Sequence, residues 1–127
     1  MKPLLLAAAL SLAALPAGAV ETSMQLVLEL EGNAQRDVIT YQCEGIEDPM
    51  VVEYINAHPI FLAIVPIEGE NLIFVNVISA SGARYVSAQY EWWSRGNEAF
   101  FTDSMDVGEE EDSEAEPISC HSVEDIP

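Results

Sequence analysis

Between Asn71 and Asn97 the chain departs from its own composition. The protein carries 22 acidic side chains, yet this window of 27 residues holds only Glu91. An even spread over the 108 residues after position 19 would place about five or six there. The window also contains Trp92 and Trp93, Tyr85 and Tyr90, Arg84 and Arg95, and a small-residue turn, Ser79-Ala80-Ser81-Gly82-Ala83. Hydroxyls, aromatic rings and cations gathered on an anionic body are the chemistry of a recognition surface. A hairpin whose aromatic rings simply fill a core accounts for the same composition.

Catalytic chemistry is poorly supplied. Neither Ser79 nor Ser81 lies in a Gly-x-Ser-x-Gly elbow. The two histidines are His58, followed by Pro59, and His121, beside Cys120. Neither setting suggests a general base, and Cys43, His58, Cys120 and His121 match no zinc-ligand spacing. Carboxylates are so abundant that a pair at glycosidase separation would carry no information. Phosphate loops and dinucleotide fingerprints are absent, so no cofactor is expected. The pattern is that of a binding protein, not an enzyme.

The elements that must position these residues begin after a leader. Lys2, the apolar run Leu4 to Leu15 and the small-x-small site Ala17-Gly18-Ala19 form a secretory signal peptide over residues 1–19, with the mature domain spanning 20–127. The apolar run is too short to span a bilayer of about 30 Å. No cysteine directly follows it, so a lipoprotein anchor is not expected, and the product should be periplasmic or secreted. Without Lys2 the chain keeps Arg36, Arg84 and Arg95 against 22 acids, a formal charge of −19. That charge repels nucleic acid and anionic membranes; it favours a basic macromolecular partner or a salty habitat. Oligomeric state is left open.

One domain is natural for this length. Cys43 and Cys120 remain in an oxidising compartment, where two lone cysteines can pair in one way only. Closing so long a loop is worth roughly 4–5 kcal/mol in the chain-entropy model. The rest alternates in short runs punctuated by turn residues. Runs at Leu26–Leu30, Val38–Cys43, Met50–Ile55, Ile60–Val65, Leu72–Ile78, Tyr85–Trp93, Ala99–Thr102 and Ile118–Val123 predict eight strands. The turn Ser94-Arg95-Gly96-Asn97 separates the sixth from the seventh. Such spacing points to an all-β antiparallel barrel or sandwich. Asp103 to Glu116 holds acids and no base, as a solvated loop would. Asp103, Gly108 and Glu114 fall at calcium-loop places, but Met105 and Val107 stand where oxygen ligands are required, so no EF-hand and no metal site is expected.

Two linked segments go further. Ser81-Gly82-Ala83-Arg84-Tyr85, followed by Trp92-Trp93-Ser94-Arg95-Gly96-Asn97-Glu98-Ala99, resembles the signature of the bacterial inhibitors of c-type lysozyme, the membrane-bound/periplasmic MliC/PliC family. That signature is a Ser-Gly-x-x-Tyr loop and a Phe/Trp-Trp-x-Lys-Gly-x-x-Ala turn. This chain meets the first in full and the second with Arg95 in place of lysine. Tyr41-Gln42-Cys43-Glu44-Gly45 and Cys120 are similar to the family's strand and disulfide, so the resemblance runs from about Val38 to Val123. Residues 20–37 resemble an added N-terminal strand with a turn.

The resemblance implies an eight-strand antiparallel barrel with one disulfide, whose Ser-Gly-x-x-Tyr loop enters a lysozyme cleft. It implies a lysozyme-binding set of Ser79, Ser81, Gly82, Arg84, Tyr85, Arg95 and Gly96. Ser81 would donate to the enzyme's catalytic carboxyls, Tyr85 would pack and hydrogen-bond beside it, and Arg95 would bring a cation. Arginine keeps the charge of lysine but is a larger, bidentate fork, so the target preference should shift. An acidic body would speed encounter with a basic c-type lysozyme. Each residue also has a plainer role: Tyr85 and Trp93 share a face of one straight strand and could be core, Trp93 more so; Gly82 and Gly96 could be turn residues; Arg84 could neighbour Glu91. Two other functions fit the composition, a small-ligand carrier barrel with unfilled inward positions and an acidic, cation-binding exported protein.

Overall fold

The structure, a computed structural model, describes residues 32–109 and 113–123 together with Gln25, Val27, Glu29 and Leu30. The expected signal peptide lies outside the described residues. Eight strands follow in order: β1 (Gln35–Cys43), β2 (Met50–Ala57), β3 (Ile60–Ile67), β4 (Glu70–Val77), β5 (Ala83–Ser87), β6 (Tyr90–Arg95), β7 (Glu98–Asp103) and β8 (Ile118–Ser122). Each pairs antiparallel with its neighbour, and β1 pairs with β8, so the sheet closes into a barrel. Alternation along every strand sends one set of side chains inward. Tyr41, Val52, Val65, Phe74, Trp92 and Cys120 are all less than 2% exposed, so side chains fill the interior.

The number of strands is as expected, but they are not the same eight. Leu30 is outside any strand, and Leu26 and Leu28 lie outside the described residues. The run Tyr85–Trp93 is two strands, because Ser87 pairs with Tyr90 around a two-residue turn at Ala88-Gln89. Ala88 takes φ 49° there, a conformation usually left to Gly or Asn, so composition concealed the turn. The hairpin also resets which tryptophan faces in. Tyr85 pairs with Trp92, which puts these two on one face and turns Trp93 outward. Trp92 is the core tryptophan, and the expectation of a core Trp93 is corrected. β4 ends at Val77, not Ile78, and β6 continues through Arg95, leaving Gly96-Asn97 as the turn.

Closure rests on a short seam. β1 and β8 share three residue pairs, and Cys43 faces Cys120 in one of them, joined by the expected disulfide. Backbone bonds from Glu44 N to Ser119 O (2.9 Å) and Val123 N to Thr40 O (2.9 Å) extend the seam on either side.

In such a meander, connections alternate between the two ends of the barrel. One end carries the start of β1, the β2–β3 turn at His58-Pro59, the 78–82 loop and the Gly96-Asn97 turn. The other carries the 44–49 loop, the Glu68-Gly69 turn, the Ala88-Gln89 turn and the 104–117 loop. Arg36 and Arg84 are second in their strands and Arg95 is last in its own, which places all three arginines toward the first end. The described acids of the 104–117 segment stand at the other. Among the described residues of that loop, Asp106, Glu109, Glu114 and Glu116 are exposed, as expected of a solvated segment.

Candidate functional site

At the arginine end the sequence signature folds into one braced unit. The 78–82 loop leaves β4 and must return into β5 in five residues. Ser79 Oγ donates to the Gly82 carbonyl at 3.1 Å, closing the turn on itself. Trp93, facing outward on β6, donates its indole N–H to the Ser81 carbonyl at 2.8 Å and so ties the loop to the next hairpin. Ser94 Oγ reaches the Ala83 carbonyl at 3.4 Å. Gly82 sits where no other residue fits. Its φ is +66°, and a Cβ there would lie 2.4 Å from the Ser94 carbonyl oxygen and 2.7 Å from Arg95 Cγ. Its glycine character is therefore a requirement of close approach between loop and strand.

With both backbone carbonyls occupied, what remains outward is side chain. Ser81 is exposed, and its hydroxyl has no partner among the described residues. Ile78, just before the turn, is 97% exposed, an aliphatic side chain standing free at the head of the loop. Arg95 lies over the Trp93 ring, Cζ 5.2 Å from the centroid, which limits where its guanidinium can go without neutralising it. The other two arginines are committed. Arg36 is paired with Glu53, its Nη2 donating at 3.0 Å. Arg84 donates through Nε to Glu91 at 2.7 Å, bracing β5 against β6. Among the described residues Arg95 alone of the three has no carboxylate partner.

Tyr85 is not on the loop surface. It points into the barrel, its ring 5.7 Å from that of Tyr54, and lines a cleft of about 410 Å³ with Tyr54, Tyr41, Asn56, Asp37, Ser94 and Gly96. Beneath this cleft runs a buried polar chain. Trp92 Nε1 donates to the Tyr54 hydroxyl at 2.8 Å, and the Tyr54 and Tyr41 hydroxyls share a bond of 2.9 Å. Burial pushes the phenols of Tyr54, Tyr41 and Tyr85 up, and the bond to Tyr41 raises Tyr54 further. All three are neutral at physiological pH. Fully bonded buried networks of this kind fix a core in one arrangement, here directly under the loop.

Fold and sequence thus bring together Ser79, Ser81, Gly82, Tyr85, Arg95 and Gly96 at one end, while Arg84 stands on the outer wall, held by Glu91. Trp93 and Ile78 were missed as parts of the surface. The signal for Trp93 was the adjacent Trp-Trp pair, since on one strand only one of two neighbours can face the core. Asp37, Tyr54 and Asn56 come from distant strands and left no local signal. Among the described residues no three His, Cys, Asp or Glu side chains are grouped to hold a metal ion.

A filled, closed barrel that presents a braced loop and an unpaired arginine defines a protein built to engage another macromolecule. The sequence model of the family described as membrane-bound lysozyme-inhibitor of c-type lysozyme matches residues 41–110. The chain belongs to this family, which consists of inhibitors, not enzymes. The membrane-bound lysozyme inhibitor of C-type lysozyme of Pseudomonas aeruginosa is 39% identical over 98 residues, covering 75% of this chain and 76% of that protein. The protein of the same name from Cupriavidus necator is 39% identical over 67 residues, 53% of each chain. The crystal structure of Pseudomonas aeruginosa MliC in complex with hen egg white lysozyme superimposes with a TM-score of 0.59 and 32% identity, covering 81% of this chain and 100% of that one.

Proposed function

We propose that this protein inhibits c-type lysozyme by placing the 78–82 loop and Arg95 in the enzyme's active-site cleft. The observation that carries this reading is a contrast at this end: the Ser81 and Gly82 carbonyls are held by Trp93 and Ser79, while among the described residues the Ser81 hydroxyl has no hydrogen-bond partner and the Arg95 guanidinium, seated over Trp93, has no carboxylate partner. A lysozyme cleft presents two carboxyl groups, one protonated and one ionised. Ser81 donates a hydrogen bond to one of them, and Arg95 pairs with the ionised carboxylate through its fork of N–H groups. Ile78 adds apolar contact beside them. Ser79, Gly82, Trp93 and Gly96 act by holding the loop in the inserting shape, so that little freedom is lost on binding. Tyr85 supports the loop from below and lines the cleft behind it.

The named relatives are membrane-bound inhibitors. In this chain Cys43 and Cys120 are joined to each other, so neither is available to carry a lipid. The reading adopted is an exported inhibitor, cleaved before Val20 and acting in the periplasm or outside the cell, where it shields peptidoglycan. The test is clearing of a bacterial cell suspension by hen egg white lysozyme, with and without the purified mature protein. Inhibition that saturates at equimolar protein is expected; full lytic activity in the presence of excess protein would overturn the proposal. Intact mass before and after reduction and alkylation checks the start at Val20.

A further inference from the structure

The acidic end holds a cavity that the inhibitory reading does not use. It measures about 470 Å³ and lies between the 44–49 loop, the Glu68-Gly69 turn and the β6–β7 edge. Its floor is apolar, with Ile46, Pro49, Met50 and Ile67 beside Tyr90 and Phe101, whose rings stack 5.7 Å apart at 24°. Ligand sites begin at about 300 Å³ and pair apolar walls with a few placed polar groups. Here those groups are carboxylates: Asp48, Glu68 and Asp103 stand in the lining.

We propose that this cavity is a second binding site, for a cationic peptide segment whose apolar side chain enters the floor while its lysine or arginine side chains pair with Asp48, Glu68 and Asp103. Three observations choose this occupant. First, the rim has no cation of its own, because Arg36, Arg84 and Arg95 all lie toward the opposite end. Second, the carboxylates surround the cavity and do not converge: no metal-holding group occurs among the described residues. A compact metal ion would therefore leave most of the rim unpaired, and a neutral apolar ligand would leave all of it so. Third, Glu68 is exposed in its turn and lines the cavity, so its carboxylate is open to a partner. Asp103 accepts the Met105 N–H at 2.9 Å through one oxygen, which fixes its direction and leaves the other oxygen open. Burial, and after it the Asp103 and Glu68 charges, push the Tyr90 phenol up, in keeping with carboxylates gathered around the ring. Beyond the rim, Asp106, Glu109, Glu114 and Glu116 extend the negative field along a path that a peptide with several cations would follow.

The test uses the mature protein and a fluorescent, end-capped peptide of alternating lysine and leucine, followed by anisotropy at low salt. Saturable one-to-one binding is expected. The double variant Asp48→Asn, Glu68→Gln should weaken it about tenfold by removing two charge-assisted contacts, while inhibiting lysozyme like the parent. A peptide with serine in place of leucine should also bind about tenfold more weakly, for want of a side chain to fill the floor. Protein saturated with hen egg white lysozyme should bind the peptide as before, because the two sites are at opposite ends. Unchanged affinity in the double variant, equal affinity for the serine peptide, or displacement of the peptide by lysozyme would each overturn the proposal. If the protein fails to inhibit lysozyme, the first two arms still decide this site on their own.

Discussion

The two ends of this barrel are built from the same strands and differ in almost everything else. The arginine end is tightly joined: the 78–82 loop is bonded to itself and to Trp93, Gly82 packs against the Ser94 carbonyl, and a chain of buried hydroxyls lies beneath. The acidic end is open, with an apolar cavity and longer loops rich in carboxylates. A closed sheet lets the ends diverge, because no edge strand or shared loop couples them. The difference bears on how charge acts. Net charge draws a basic protein toward the molecule from any side. The separation of charge within the molecule does the opposite at close range, since it offers the acidic end first. Attraction and docking are therefore separate tasks at separate places, and variants can divide them.

The largest effect is expected where the fit is closest. Gly82→Ala must move the loop off Ser94 and Arg95 and also strain φ, a cost of about 3 kcal/mol that falls on the inhibitory geometry. The inhibition constant should weaken by roughly two orders of magnitude, with the barrel still folded by circular dichroism. An unchanged constant would show that the braced shape is not what inhibits. Next, Arg95→Ala should cost about 2–3 kcal/mol by leaving a desolvated carboxylate of the enzyme unpaired, and Ser81→Ala about 1.5–3 kcal/mol for a lost bond to a charged group. Both residues are exposed, so thermal midpoints should stay near the parent's. Should both variants inhibit normally, docking at the arginine end fails.

A third contrast is in pH. Tyr41, Tyr54 and Tyr85 under the arginine end all have raised phenol pKa values through burial. The unfolded chain releases these protons near pH 10 while the folded one retains them. Stability is then fully present below about pH 10 and falls above it, by about 1.4 kcal/mol per pH unit for each retained proton. Thermal midpoints across pH 7–11, with tyrosinate absorbance, measure this, and a midpoint flat through pH 11 would contradict the buried network.

The smallest effect is the one net charge alone would have made large. The six residues of β7 span roughly 20 Å, so the acidic loop lies about two Debye lengths from the inhibitory loop at physiological salt, where that length is about 8 Å, but within about one at 0.01 M. Changing Asp106, Glu109, Glu114 and Glu116 to their amides should slow association several-fold at low salt, by less than about twofold at physiological salt, and leave dissociation unaltered. Stopped-flow or surface plasmon resonance at the two salt levels tests this. A large loss at physiological salt would mean that the acidic end touches the enzyme.

Much of this architecture was legible along the chain because it is local. Turn residues such as Glu68-Gly69 and Gly96-Asn97, alternation in the runs between them, and two lone cysteines are properties of short segments, and they carried the strand class, the disulfide and the position of the signature. Other features depended on pairing. Ala88-Gln89 has no turn chemistry of its own, and it adopts a turn because Tyr85 and Trp92 gain more by entering the core together than a straight strand would allow. From that one hairpin follow the outward Trp93, the bond that holds Ser81, and the cradle over which Arg95 lies. The separation of arginines from acids was equally invisible, since Arg36, Arg84 and Arg95 are far apart in sequence and meet at one end only through the alternation of an up-and-down sheet. Residue types and short spacings thus reached an all-β antiparallel class, barrel or sandwich, and the resemblance carried by the signature implied the barrel. Closure of the sheet decided which residues share an end, because facing and proximity are set by register between strands and not by order along one.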